Sequence, residues 1–223
     1  VDGSGGEALL GGDYRGENPD IANAARTVVT KDAVIDVSAQ ADRADGGRVI
    51  VWADGATRFL GTIVGQGGAL GGDGAFAEVS GKEYLDFQGL ADLTAANGQS
   101  GTLLLDPASL TIQAEPATEN VTSTGGDPFR FENTNNAGSI LLVSTLKAQL
   151  ANSDVALETS VVDDANPPSS DSSIEVNSPV AWSSGNDLIF NSGNSVRVNA
   201  DLDAGSGNIV FGLGYDYNGV ILG

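Results

Sequence analysis

The 223-residue chain contains no cysteine, no methionine and no histidine. Without cysteine it can form no disulfide, no thiolate zinc site and no thiol nucleophile. Without histidine it loses imidazole-ligated metals, Ser-His-Asp triads and imidazole acid–base chemistry. Any catalysis falls to carboxylates, hydroxyls and a few Lys and Tyr side chains. Positive charge is scarce too: ten basic residues face thirty acidic ones, a formal net charge of −20. Such a surface repels a phosphate backbone and an anionic membrane, so neither nucleic acid nor membrane insertion is expected. The deficit is uneven, with net −5 over residues 1–82 and net −15 over residues 83–223. No run of about 18 apolar residues occurs that could span a bilayer. The chain opens on Val1 with no initiator Met and no signal-peptide pattern, which reads as a mature or excised segment of a longer product.

What is abundant is glycine, 31 residues, with 40% hydrophobic residues in short bursts. Those bursts argue against an acidic disordered tail. They also repeat. Gly47-Arg48-Val49-Ile50-Val51-Trp52 is followed 27 residues later by Gly74-Ala75-Phe76-Ala77-Glu78-Val79, and after another 27 by Gly101-Thr102-Leu103-Leu104-Leu105-Asp106. Each copy is a glycine turn, at Gly47, Gly74 and Gly101, opening a short apolar strand. A second strand recurs at 28 residues, Arg58–Ile63 against Asp86–Ala91. Third strands lie at Ile35–Val37, Thr62–Val64 and Ala91–Leu93. Towards the C-terminus the step shortens: Ile174–Asn177 matches Val196–Asn199 at 22 residues, Val180–Trp182 matches Leu202–Ala204 at 22, and Leu188–Phe190 matches Ile209–Phe211 at 21.

Repeats of this length, with two or three strands and no intervening helix, suit turns that stack and share one core, since no single turn can bury its own apolar face. A β-sandwich also uses many short strands, but it has no reason to keep a fixed register. Residues 1–223 are therefore read as one domain, with turns of about 27 residues over 1–112 and about 22 over 174–223. Residues 113–137 form a polar loop insertion, and 138–173 hold a strand, a short helix and a loop over 163–170. Ser144 is the expected N-cap of that helix, with Leu146 and Leu150 on one face.

Several of these pieces carry a resemblance. Gly11-Gly12-Asp13-Tyr14-Arg15-Gly16, Gly46–Asp54, Thr57–Ile63, Glu78-Val79-Ser80-Gly81-Lys82 and Gly101–Pro107 occur in this order. As a series they resemble the filamentous-haemagglutinin-like exoproteins of two-partner secretion, and the resemblance runs from about Gly11 into the last repeats. It implies large secreted right-handed β-helical rods that act in adhesion, aggregation and biofilm building, exported through an outer-membrane transporter. The secretion and haemagglutination-activity region that the family places before Gly11 is not in this sequence, so transporter recognition is not assigned to it. The expected fold is all-β, a right-handed parallel β-helix (solenoid) of roughly eight to ten turns with one short external helix.

Each candidate site in the sequence also has a plainer account. Asp201 and Asp203, two apart on one strand, point the same way and could serve as general acid and base, as could the pair Asp163 and Asp164. Solvated surface charge explains both pairs more simply. Gly71-Gly72-Asp73-Gly74 is half of a glycine-rich calcium turn, but the nine-residue repeat that builds such sites is absent, and a tight turn suffices. Trp52, Phe59, Phe76, Phe87, Trp182, Phe190 and Phe211 are expected to stack in the core, with Trp52 and Trp182 the best candidates for an exposed sugar platform. Threonines do not recur at the repeat period, which disfavours an ice-binding face.

The final residues, Tyr215, Tyr217, Val220, Ile221 and Leu222, keep the chain apolar to its end and are the expected surface for end-to-end or strand-donating assembly with an identical subunit. The sequence thus points to an extracellular or cell-surface, non-enzymatic rod or fibre segment without a cofactor. Its expected partners are itself and a host or bacterial surface receptor or glycan. The alternative is a β-helical carbohydrate-active enzyme using Asp-based acid/base chemistry on polysaccharide. Three or more carboxylates converging on one outer groove beside a base would favour that alternative.

Overall fold

The computed structural model describes residues 3–114, 121–123, 131–133, 138–159 and 172–213. Three consecutive triplets of strands open the chain. The first is β1 (Glu7–Leu10), β2 (Arg26–Val29) and β3 (Val34–Asp36); the second is β4 (Arg48–Val51), β5 (Ala56–Phe59) and β6 (Thr62–Val64). The third is β7 (Phe76–Gly81), β8 (Tyr84–Phe87) and β9 (Leu90–Asp92). Corresponding strands pair in parallel, so each triplet adds one layer to three walls: β1-β4-β7, β2-β5-β8 and β3-β6-β9. Short strands rich in Val, Ile, Phe and Thr, broken by glycine turns, give this geometry because each alternates one face to the core and one outward.

The first wall continues through the chain. β10 (Thr102–Pro107), β15 (Asp154–Thr159), β18 (Leu188–Ser192) and β21 (Ile209–Leu213) extend it to the parallel order β1-β4-β7-β10-β15-β18-β21, seven layers among the described residues. A four-stranded sheet takes up the second wall, in the order β14 (Ser139–Leu142), β11 (Leu110–Gln113), β16 (Ser173–Val176) and β19 (Ser195–Val198). β17 (Val180–Ala181) and β20 (Leu202–Asp203) form a short parallel pair. Between β11 and β14 the chain makes an antiparallel hairpin, β12 (Val121–Ser123) with β13 (Phe131–Asn133).

The observed register agrees with the periodicity in the C-terminal half and corrects the even 27-residue step expected in the N-terminal half. Ile174 pairs with Val196, Val180 with Leu202 and Leu188 with Ile209, the 22- and 21-residue steps read from the sequence. In the first wall, however, Arg48 pairs with Phe76 and Phe76 with Thr102, so a 28-residue step precedes a 26-residue one. Gly47 and Gly101 therefore share one position, which Ala75 fills in the layer between, and Gly74 falls level with Gly46. All three glycines are still required by space. A Cβ would overlap the carbonyl oxygen of Gly6 at Gly47, of Leu93 at Gly74 and of Ala75 at Gly101.

The core is built from rows of like side chains. Val49, Ala77, Leu103, Val155 and Leu188 form one inward row of the first wall, and Val51, Val79, Leu105, Leu157 and Phe190 form the next. Phe59 and Phe87 stack with centroids 5.5 Å apart in the second wall, as Phe190 and Phe211 do at 5.1 Å. Stacking like on like fills the space between layers at the density of a protein interior.

Two features depart from the expectation. The helix α1 (Val143–Leu150) begins one residue before Ser144, directly out of β14, and its N-cap Leu142 offers no side-chain bond. Nor is the helix an external appendage, because Leu146 and Leu150 are fully buried in the common core. It covers the edge of β9, where the buried side-chain amide of Gln149 accepts from the Ala91 amide (2.9 Å) and donates to the Gly89 carbonyl (3.2 Å). One side chain thus replaces the strand that would otherwise pair there. The second departure is that β14 lies on the β8 side of β11, where Ser139 Oγ accepts from the Leu85 amide at 2.9 Å. The chain climbs a layer at β11 and returns to fill the one beneath.

Candidate functional site

The outer face of the first wall carries a cluster of charge. Its foundation is three strands of alternating residues whose outward positions hold carboxylates: Glu78 on β7, Asp106 on β10 and Glu158 on β15. Leu104 pairs with Glu78, Asp106 with Ser80 and Glu158 with Asn191, so the acids stand on adjacent layers of one face. Ile50 is the outward neighbour of Glu78 on β4. Glu78 is 0% and Asp106 1% exposed.

A loop over residues 11–25 covers them. Its two ends are tied, the Ala24 amide donating to the Gly11 carbonyl at 2.7 Å. Gly11, at φ +78°, turns the chain out of β1 where a Cβ would overlap Thr27 Oγ1 and the Trp52 carbonyl. Asp13 then caps a tight turn over Tyr14–Gly16 by accepting from the Tyr14 amide at 2.7 Å. Arg15 sits at φ +54°, the sole non-glycine with positive φ among the described residues. Gly16, at φ +65°, lies flat against the Trp52 indole, and Asn23 Nδ2 bridges the Gly16 carbonyl (2.9 Å) and Asp54 (3.0 Å).

This loop grips the sheet through Tyr14, Arg15 and Asp13. The Tyr14 ring meets Phe76 edge-on at 5.9 Å. Arg15 and Arg48 both lie over that ring, at 5.1 and 5.6 Å from its centroid. Arg48 pairs with Glu7 at 2.7 Å and with Asp13 at 3.3 Å. The Arg15 guanidinium bonds Glu158 at 2.7 Å, while its backbone amide donates to Glu78 at 3.2 Å.

Burial dominates the electrostatics. It pushes Glu78 up to about 7, against the opposing pull of the Ser80 hydroxyl and of the Arg15 amide and charge. It raises Glu158 as well, again opposed by Arg15, and raises the Tyr14 phenol. For Arg15, burial acts to lower the pKa but is outweighed, mainly by Glu158, and the guanidinium is held more firmly charged. One proton-bearing and one ionised carboxyl are what glycoside hydrolysis uses. Here both lie beneath the loop, and the base beside them is already bonded to Glu158. The arrangement is built to hold a strap down.

The residues singled out from the sequence are placed elsewhere. Asp201 and Asp203 are exposed, and the Asp203 carboxylate closes a tight turn by accepting from the Gly205 amide at 3.0 Å. Asp73 belongs to a ladder of turns, its amide donating to Asp45 and its carboxylate accepting from the Gln99 amide, both at 2.8 Å. Trp52 (3% exposed) and Trp182 (8%) offer no sugar platform, and their indole N–H groups donate to Asp54 and to the Asn186 carbonyl. Asp163, Asp164, Tyr215, Tyr217, Val220, Ile221 and Leu222 lie outside the described residues. Among those described, no group of three or more acidic side chains is placed to hold a metal ion.

Arg15, Glu78, Asp106 and Glu158 were not recognised as a site from the sequence, because they converge only through the register of three layers. A signal was present nonetheless: Ala-Glu-Val, Leu-Asp-Pro and Leu-Glu-Thr each set an acid inside an apolar strand of the same wall. Compared with known proteins, the chain matches no family model and no curated protein.

Proposed function

We propose that this chain is a right-handed parallel β-helix acting as a secreted, structural and adhesive rod, a segment of an extracellular fibre. The observation that carries the reading is the wall of seven parallel strands among the described residues, whose layers share one continuous core. Such a stack spans about 30 Å at the usual strand spacing and lengthens by simple addition of layers. Its mechanism is geometric: a stiff spacer with an acidic surface, presenting loops to a receptor or glycan. The likeness of Gly11–Gly16, Gly46–Asp54 and Gly101–Pro107 to the filamentous-haemagglutinin-like exoproteins supports export to the cell surface and a role in aggregation or biofilm. Head-to-tail association of identical chains belongs to the same reading.

Negative-stain microscopy tests it. Rods or fibres of uniform width are expected, and deletion of Val220–Gly223 is expected to shorten the fibres. Compact particles with no long axis would count against the rod, and fibres unchanged by the deletion would remove the C-terminal residues from the assembly.

One observation favours a carbohydrate-active enzyme, the approach of Glu78, Asp106 and Glu158 beside Arg15. The covering loop argues against it, since a polysaccharide has to reach the proton donor. A reducing-sugar assay on acidic polysaccharides separates the two. Activity lost in Glu78→Gln would establish the enzyme at this cluster, activity lost in Asp201→Asn would place it on the exposed pair, and no activity is the result expected of a rod.

A further inference from the structure

We propose that the loop over residues 11–25 is a proton-operated strap, closed over the outer face of the seven-stranded wall while Glu78 carries a proton and lifted when that proton leaves. The geometry sets up the switch. Two carboxylates, Glu78 and Glu158, meet Arg15, and its guanidinium is committed to Glu158 at 2.7 Å. Glu78 receives the Arg15 backbone amide at 3.2 and 3.4 Å to its two oxygens, longer than the 2.7–2.9 Å typical of a charge-assisted bond, with the Ser80 hydroxyl beside it and no guanidinium contact of its own. An ionised Glu78 in the closed state is therefore a fully buried charge with only long hydrogen bonds and the Glu158 carboxylate close by. Protonation removes that burden and leaves the Arg15–Glu158 pair intact.

Every element packed on Glu78 contributes to the balance. The strap brings Tyr14 and Arg15; β10 brings Leu104, with Asp106 near Arg15; β15 brings Glu158; β4 brings the uncharged Ile50. Arg48 is occupied by Glu7 and Asp13 and steadies the root of the strap. Arg15 also holds a left-handed backbone that L side chains adopt at a cost, so the closed turn stores strain that opening releases. Burial brings Glu78 to about 7 in the closed state, whereas the hydrated side chain has its ordinary value of 4.5. Lifting the strap uncovers Phe76 and Trp52, an aromatic face that the closed state hides.

Trypsin reads the strap directly, because Arg15 is the single basic residue between Gly11 and Ala25. Cleavage of the folded chain after Arg15 is measured against cleavage of a free peptide of residues 11–25 at each pH. Protection is expected to fall about tenfold from pH 6 to pH 8.5 as the closed state loses its preference for the proton. Glu78→Gln is expected to show the pH 6 protection at both values. Equal wild-type protection at the two pH values, or a pH dependence that survives in a folded Glu78→Gln chain, overturns the proposal. Should that variant fail to fold, hydrogen exchange of segment 11–25 in the unaltered chain decides. Corrected for intrinsic rates, its protection is expected to fall with rising pH from about 4.5 and to level off just above pH 7, and a flat profile overturns the strap.

Discussion

Glu78 titrates near pH 7 in the folded chain and at its ordinary 4.5 when hydrated, so its effect on stability runs opposite to that of a salt-bridged carboxylate. Between these values the folded state holds a proton that the unfolded state has lost, and stability rises as pH falls through the window. The wild type is expected to gain about 2 kcal/mol relative to Glu78→Gln between pH 8 and pH 5.5, read from urea midpoints. A difference that shrinks or reverses on acidification would show that Glu78 is hydrated in the folded chain. Gly101 makes a second prediction at this scale. Its missing side chain lets two layers approach until a Cβ would overlap the Ala75 carbonyl. Gly101→Ala is expected to destabilise by about 1–3 kcal/mol, as overpacking does, with a matching fall in melting temperature.

Elements show where the sequence is transparent and where it is not. The row Ile174–Val196 is visible as periodicity because each residue meets its equivalent in the next layer, whereas in Val49–Ala77–Leu103 a 28-residue step precedes a 26-residue one and an even 27-residue spacing misses the middle layer by one residue. Leu103, fully buried, is expected to cost about 2–5 kcal/mol when truncated to Ala, as measured by denaturant unfolding. The helix start was misplaced for a local reason: β14 runs straight into α1, so Leu142 occupies the cap and Ser144 lies inside the first turn. Its role was hidden for a tertiary reason. Nothing near Gln149 in the sequence announces that its amide will stand in for a strand against Gly89 and Ala91, about 60 residues earlier. Gln149→Ala is expected to lose about 1–3 kcal/mol, the cost of orphaning that buried edge, with faster hydrogen exchange at Ala91. Arg15 was opaque in the same way, reaching acids on β7 and β15 that only the stacking brings together.

For the whole molecule, the stack binds distant segments into one body, since each layer of the first wall touches the layers before and after it. The order of those layers almost follows the order of the chain, and the one exception among the described residues has a consequence for synthesis. A chain emerging from its N-terminus can complete nine strands by Asp92, each docking on a neighbour already present. The next residues cannot simply continue. β11 at Leu110–Gln113 belongs one storey too high, and the vacancy on β8 is filled only when Ser139–Leu142 arrives, with the β9 edge covered by the helix that follows. Assembly from the leading end therefore has a built-in pause of some tens of residues. A chain halted anywhere between Gln113 and Ser139 exposes two raw sheet edges, those of β8 and β9, and its tendency to adhere to other nascent chains is highest there.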